Sequence, residues 1–258
     1  VNMSFTIQNM EFYLLVLMRI SGFVFTAPFF SYSSIPIRMK AAASFILAIV
    51  AIQMVPVVSV SYQGVFGFSI IVLKETAVGM ILGFMCNLCF YIINFAGQLI
   101  DMELGLSMAN MFDPATNVQV TVTGNIYNYF VMLMLVATNM HYYIIRAIFD
   151  SFSYFNVGKA VFHTSLKEIM VDFVANYFLI AVRIVLPIFC CMLIINVVLG
   201  VLAKAAPQMN MFVVGIQIKV LVGLILLLIL VQTIPSVSDF IFSEMRDVIT
   251  QVIHGFQP

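Results

Sequence analysis

Six long apolar stretches, residues 11–30, 41–58, 65–95, 118–149, 173–203 and 212–234, leave this chain few ways to fold. A helix crossing a bilayer needs about 20 mostly apolar residues, or roughly 30 Å at 1.5 Å per residue. Each stretch can supply such a helix, and several run to about 30 residues, enough to tilt strongly or to project beyond the lipid. They are too long and continuous for strands, and none alternates polar with apolar residues as a strand of an outer-membrane barrel does. The sequence therefore predicts an all-α, polytopic membrane-type protein with about six long hydrophobic helices.

The charge content narrows the partners. Hydrophobic residues make up 63% of the chain and charged residues 9%, against about 25% charge in a soluble domain. A globule so poor in charge cannot cover its own surface with water-compatible groups. Eleven Lys and Arg balance eleven Asp and Glu, so no basic stripe is available to neutralise phosphates, and nucleic acid is excluded as a partner. The first 30 residues lack a basic leading region and Arg19 interrupts their apolar core, so no cleavable signal peptide is expected. Trp is absent, which leaves any interfacial belt to Tyr and Phe.

The connectors carry the polar residues. Residues 31–40 read as a turn followed by a basic helix start at Arg38 and Lys40. Residues 96–117 hold Asp101, Glu103, Asp113, two glycines and Pro114, yet stay rich in Met. Residues 150–172 are the most water-compatible part, with Lys159, Lys167, Glu168 and Asp172. Pro207 breaks the last apolar hairpin, since proline cannot donate an intrahelical hydrogen bond. The tail after Pro235 has the pattern of an amphipathic helix. The positive-inside rule places Arg38 and Lys40 in the cytoplasm with the 96–117 connector on the same side, but the remaining Lys and Arg are too evenly spread to fix the orientation.

Several charges fall where lipid would lie. Arg19, the neighbours Lys74 and Glu75, Arg183 and Lys219 sit inside or at the rim of apolar stretches. A central charge costs about 2.5–3.5 kcal/mol on insertion scales, so these groups must face protein or a water-filled path. Structural ion pairs within a helix bundle, a lining for an ion or polypeptide path, and snorkelling (for Lys219 in particular) are the three readings. Gly79 and Gly83 form a GxxxG, a spacing that lets helix backbones approach closely, either within the chain or between chains.

Catalytic chemistry is missing. Cys86 and Cys89 match CxxC but sit mid-helix in apolar surroundings, where a thiolate is disfavoured. His141, His163 and His254 lack partners at zinc spacing, and there is no P-loop. No cofactor and no enzymatic activity are expected. Eighteen methionines supply deformable thioether side chains. Met102, Met108 and Met111, with Phe112, lie in the acid-bearing connector. Non-helical backbone at membrane depth must be buried in protein or line a cavity, so this segment reads as a soft plug of a pore or as plain re-entrant packing.

Several motifs resemble the FliR/SctT family of type III secretion export gates. They are Arg19-Ile-Ser-Gly22, Thr26-Ala-Pro28, Ser34-Ile-Pro36-Ile-Arg38, Ala96-Gly97-Gln98-Leu-Ile-Asp101, Gly105-Leu-Ser-Met-Ala109 and Phe112-Asp113-Pro114. Asn139-Met-His141 and Asp150-Ser151-Phe152 are also similar. Most specific is the run from Gly200 through Lys204, Pro207, Gln208 and Asn210 to Phe212, closing at Lys219. Gln217 stands where proline is expected and Lys204 where arginine is common.

The resemblance implies a non-enzymatic subunit of the flagellar export gate. Such a subunit assembles with FliP and FliQ into a helical channel, with FlhB and FlhA associated, in the bacterial inner membrane at the flagellar basal body, and unfolded flagellar proteins pass through. It implies one export-gate domain over residues 1–258, with a FliP-like part at 1–172 and a FliQ-like helical hairpin and amphipathic tail at 173–258. Pro207, Gln208, Asn210 and Phe212 fall at the hairpin turn. The resemblance also maps the family's pore plug onto residues 105–117, with Met108, Met111 and Phe112 as seal and Asp113 and Pro114 fixing the loop. The assembled gate stands largely out of the lipid plane, so Arg19, Lys74, Glu75, Asp101, Arg183 and Lys219 would face protein, and an Arg183→Leu change is expected to orphan a carboxylate. An injectisome component of the SctT type and a stand-alone secondary transporter are the alternatives.

Overall fold

Buried positions on the first helix recur every three or four residues, the interval that lines up one face of an α-helix. In the computed structural model α1 runs Ile7–Thr26 and buries Phe12, Leu15, Arg19, Phe23 and their neighbours. The structure describes residues 7–32, 34–58, 60, 62–107, 121–208 and 210–257, without the side chains of residues 7, 8, 211 and 212. Every regular element among the described residues is helical. The remaining helices are α2 (Ile37–Met54), α3 (Gly64–Leu104), α4 (Val122–Ala137), α5 (Met140–Tyr154), α6 (Thr164–Ala205), α7 (Met211–Leu230) and α8 (Ile234–Gly255), with one 3-10 turn at Val231–Thr233. Five of them are long and apolar enough to cross a membrane, and the count becomes six if the broken pair α4 and α5 makes one span.

The structure departs from the sequence reading at three places. The stretch at 118–149 is not continuous: Asn139 adopts a left-handed backbone (φ 59) between α4 and α5. An Asn tolerates that conformation better than most residues, and no α-helix runs through it. The connector expected from residue 96 stays helical to Leu104, because only Gly97 in that run weakens a helix. Gly105 then stops α3 with φ +81, its N–H donating to the Met102 carbonyl at 3.2 Å, as a left-handed glycine cap does. The polar segment at 150–172 contains both the end of α5 and the first turns of α6. Helices α3 and α6 have 41 and 42 residues, about 60 Å each, so both outrun a bilayer's hydrocarbon core.

The chain divides into two compact units. One comprises Val1–Cys89, Asn139–Val174 and Phe242–Pro258; the other comprises Phe90–Thr138 and Ala175–Ile241. In the first, α1 lies against α3 through glycines. A Cβ on Gly79 would collide with the Arg19 carbonyl oxygen, and one on Gly22 would lie 2.5 Å from the Thr76 carbonyl oxygen. The GxxxG at Gly79 and Gly83 thus serves packing within the chain. The C-terminal half of α8 and the residue after it close this unit with an apolar face that includes Met245, Val252 and Phe256. Phe256 packs on Phe155 and Phe162 at 5.7 and 5.3 Å between centroids, and its carbonyl accepts from the Val161 N–H at 3.2 Å.

In the second unit the end of α3 meets the start of α4 without side chains between them, since a Cβ on Gly97 would overlap the backbone of Gly124. Phe95 packs edge-on against Phe178 of α6 at 5.4 Å, and the Tyr177 hydroxyl donates to the Tyr91 carbonyl at 2.9 Å. Helices α6 and α7 form a hairpin whose turn holds Pro207 and Gln208, after the Ala206 N–H closes the last turn of α6 on Leu202 at 2.9 Å. Pro235, in the first turn of α8, sits where a missing N–H costs nothing.

Candidate functional site

Two buried acids organise the interior, one in each unit. In the first unit Glu75 of α3 and Arg19 of α1 are both 0% exposed and meet through Arg19 Nε and Glu75 Oε2 at 2.5 Å. The guanidinium lies between the rings of Phe152 and Phe155, 4.3 and 4.5 Å from their centroids, and donates from Nη1 to Ser151 Oγ at 3.3 Å. Its Nη2 has no partner among the described residues. The other carboxylate oxygen of Glu75 accepts the Gly158 N–H at 2.8 Å. Gly158 has φ +82, a backbone that glycine adopts without strain, so the turn after α5 presents its amide to the acid.

This cluster ties α1, α3, α5 and the following turn to a single ion pair. A buried pair is costly to desolvate, and it holds only where the remaining polar atoms find partners. Here one serine hydroxyl, one backbone amide and two aromatic faces supply them. Lys74, beside Glu75 in sequence, is exposed and takes no part, because successive helix residues point to different faces.

In the second unit Asp101 is 4% exposed and accepts from Thr123 twice, from its N–H at 3.2 Å and from its hydroxyl at 2.5 Å. Thr123 lies in the first turn of α4, whose amides have no intrahelical acceptor. Asp101 therefore caps α4 from another helix, and its negative charge suits the positive end of the helix dipole. We expect Asp101→Ala to destabilise this junction by about 0.5–2 kcal/mol, the usual cost of losing such a cap. Hydrogen exchange at the Thr123 and Gly124 amides should accelerate by up to about thirtyfold, at about 1.4 kcal/mol per factor of ten, with Asp101→Asn intermediate.

The other expected site residues are distributed differently. Met108, Met111, Phe112, Asp113 and Pro114 lie outside the described residues. Pro207, Gln208 and Asn210 are exposed around the hairpin turn, and Phe212 is in the first turn of α7. Lys219 is half-buried on α7 and Arg183 is exposed on α6. Among the described residues no carboxylate lies within ion-pairing distance of either. Ser151, Thr123, Gly97, Gly124 and Gly158 were not anticipated as site residues. Ser151 and Gly97 stand in the motifs quoted above, but their partners are distant in sequence.

No three of His, Cys, Asp and Glu among the described residues are grouped to hold a metal ion, and Cys86 and Cys89 are buried free thiols. The arrangement can do one thing chemically, which is to fix helices against each other.

Comparisons with known proteins agree along most of the chain. The family described as "Bacterial export proteins, family 1" matches residues 10–245. Flagellar biosynthetic protein FliR of Bacillus subtilis (strain 168) is 29% identical over 238 residues, covering 90% of each chain. FliR of Escherichia coli (strain K12) is 26% identical over 244 residues, 95% of this chain and 93% of that one. FliR of Aquifex aeolicus (strain VF5) is 28% identical over 244 residues, 95% and 94%.

Proposed function

Because the chain belongs to the bacterial export proteins, family 1, we propose that this multi-pass membrane protein is a structural subunit of the flagellar type III export gate. The observation that carries the proposal is the family match across residues 10–245, together with relatives that bear the name FliR over nine-tenths of their length. Such a protein is an export component rather than an enzyme. In this reading it joins FliP and FliQ in one channel of the inner membrane, with FlhB and FlhA alongside, and unfolded flagellar proteins pass through. Residues 1–172 form the FliP-like part, and 173–258 form the FliQ-like hairpin and tail. Energy comes from an ATPase partner and the proton motive force, since the chain has no nucleotide motif.

The physical support lies in what the lone chain leaves uncovered. Ile194, Val197 and Val201 on α6 are each more than 60% exposed, and Leu228 on α7 is 75% exposed. An apolar patch this extensive marks a surface for protein or lipid. Neighbouring subunits would cover it in a gate.

Residues 105–117 are proposed as the plug. Met108, Met111 and Phe112 are deformable or bulky apolar groups suited to a seal that must re-form, while Asp113 and Pro114 favour a turn. Deleting 105–117 is expected to leave the complex assembled and to make the membrane leak ions, measured as conductance of the purified complex in planar bilayers. An undiminished barrier in that deletion would reject the plug. A chain that moves small solutes alone in liposomes would reject the gate.

A further inference from the structure

Arg183 is the only charged residue between Asp172 and Lys204, and it lies near the middle of the 42-residue helix α6. It is exposed, on a face shared with Leu179 at 58% and Leu186 at 46% exposure. Asp172 lies about 16 Å away along the helix axis and Lys204 about 31 Å. Pro187 adds a second polar feature at this level. It has no N–H to donate to the Arg183 carbonyl four residues earlier, so that carbonyl loses its ordinary helical donor.

Lipid cannot cover this face cheaply. If the bilayer takes the first half of 173–203, the guanidinium sits in hydrocarbon at a cost of about 2.5–3.5 kcal/mol. If it takes 184–203, Arg183 reaches the boundary, but exposed Phe178, Leu179 and Val182 stand in water. A partner protein resolves both, provided it brings an anion. A second copy of this chain is poorly equipped to do so. Its α6 offers no acid between residues 173 and 203, and its interior acids Glu75 and Asp101 are already engaged. Of its half-buried acids, Glu11 accepts from the Tyr62 hydroxyl, Asp150 pairs with Arg146 and Glu244 lies on α8, which leaves Glu103 lining an apolar groove with Val182 and Leu186.

We propose that the Arg183 face of α6 is an interface for an apolar helix of a different subunit, one that presents an Asp or Glu carboxylate to the guanidinium. This rests on the gate reading above and adds the partner's chemistry. An arginine suits the task because its planar fork binds a carboxylate through two hydrogen bonds.

The test uses the tagged full chain produced together with the other export-apparatus subunits, solubilised from the membrane and captured. Arg183→Leu should lower the recovery of partner subunits by about tenfold or more, because the partner's acid is left buried and unpaired. Arg183→Lys should keep most of the recovery. Arg183→Glu should abolish it, and an Asp→Lys or Glu→Lys change in an apolar helix of a partner should restore it. The chain's own level in membranes without partners should stay within about twofold for every variant. Three results would overturn the proposal: unchanged recovery with Arg183→Glu, rescue of that variant by Glu103→Lys in this same chain, or loss of Arg183→Leu from membranes that lack partners. A wild-type chain that captures no export subunit would overturn the gate reading itself, and no variant is needed to see it.

Discussion

Replacing Glu75 by alanine is expected to destabilise the chain by about 3–5 kcal/mol, the usual cost of leaving one buried charge without its partner. Arg19 is fully buried and its Nε donates to Glu75. Without the carboxylate, only the Ser151 hydroxyl and the Phe152 and Phe155 rings remain around the guanidinium. Cation–π contacts supply about 0.5–2 kcal/mol, well short of the desolvation cost. The Gly158 amide loses its acceptor in the same change, adding about 1–3 kcal/mol if no water replaces it. The midpoint of unfolding in detergent and the chain's level in membranes should both fall sharply.

The companion variant separates charge from packing. Arg19→Met combined with Glu75→Leu removes both charges and keeps apolar volume, so it should recover most of the loss, as buried pairs replaced by apolar residues commonly do. A Glu75→Ala loss below about 1 kcal/mol would show that water reaches Arg19 and that the pair does not hold the helices.

The two single charges behind this result are visible in the sequence, because each interrupts an apolar run. Their pairing is not, because 56 residues separate them and nothing local names the partner. Lys74, adjacent to Glu75, was the obvious candidate in one dimension and points elsewhere in three. The all-helical class was legible for a different reason: apolar runs of this length leave backbone groups no partner but their own helix. Helix ends were less legible. Asp101 and Glu103 suggested a loop, yet α3 continues to Leu104, since Asp101 finds its donors on Thr123 of α4 while a left-handed glycine ends the helix. The division into two units falls inside α3, α6 and α8, and no change in composition marks those points.

Glycine substitutions give the second large effect, and here the sign is the test. Helix propensity alone says that Gly→Ala inside a helix stabilises by about 0.8–1 kcal/mol wherever it is made. Gly200 of α6 has nothing within 4 Å of a prospective Cβ, so Gly200→Ala should follow propensity and raise stability slightly. At Gly79 the same atom would overlap the Arg19 carbonyl oxygen and lie 2.9 Å from the Phe23 nitrogen. Both are backbone atoms of α1, so no rotamer change relieves the clash and the two helices must separate. Gly79→Ala should therefore destabilise by about 1–3 kcal/mol, the range for overpacking, and Gly79→Leu by more. Because Arg19 sits at the point of contact, displacing α1 also stretches its bond to Glu75, and the Gly79 and Glu75 variants should be non-additive when combined. Equal stabilisation by alanine at Gly79 and Gly200 would mean that α1 does not rest on α3 through these glycines.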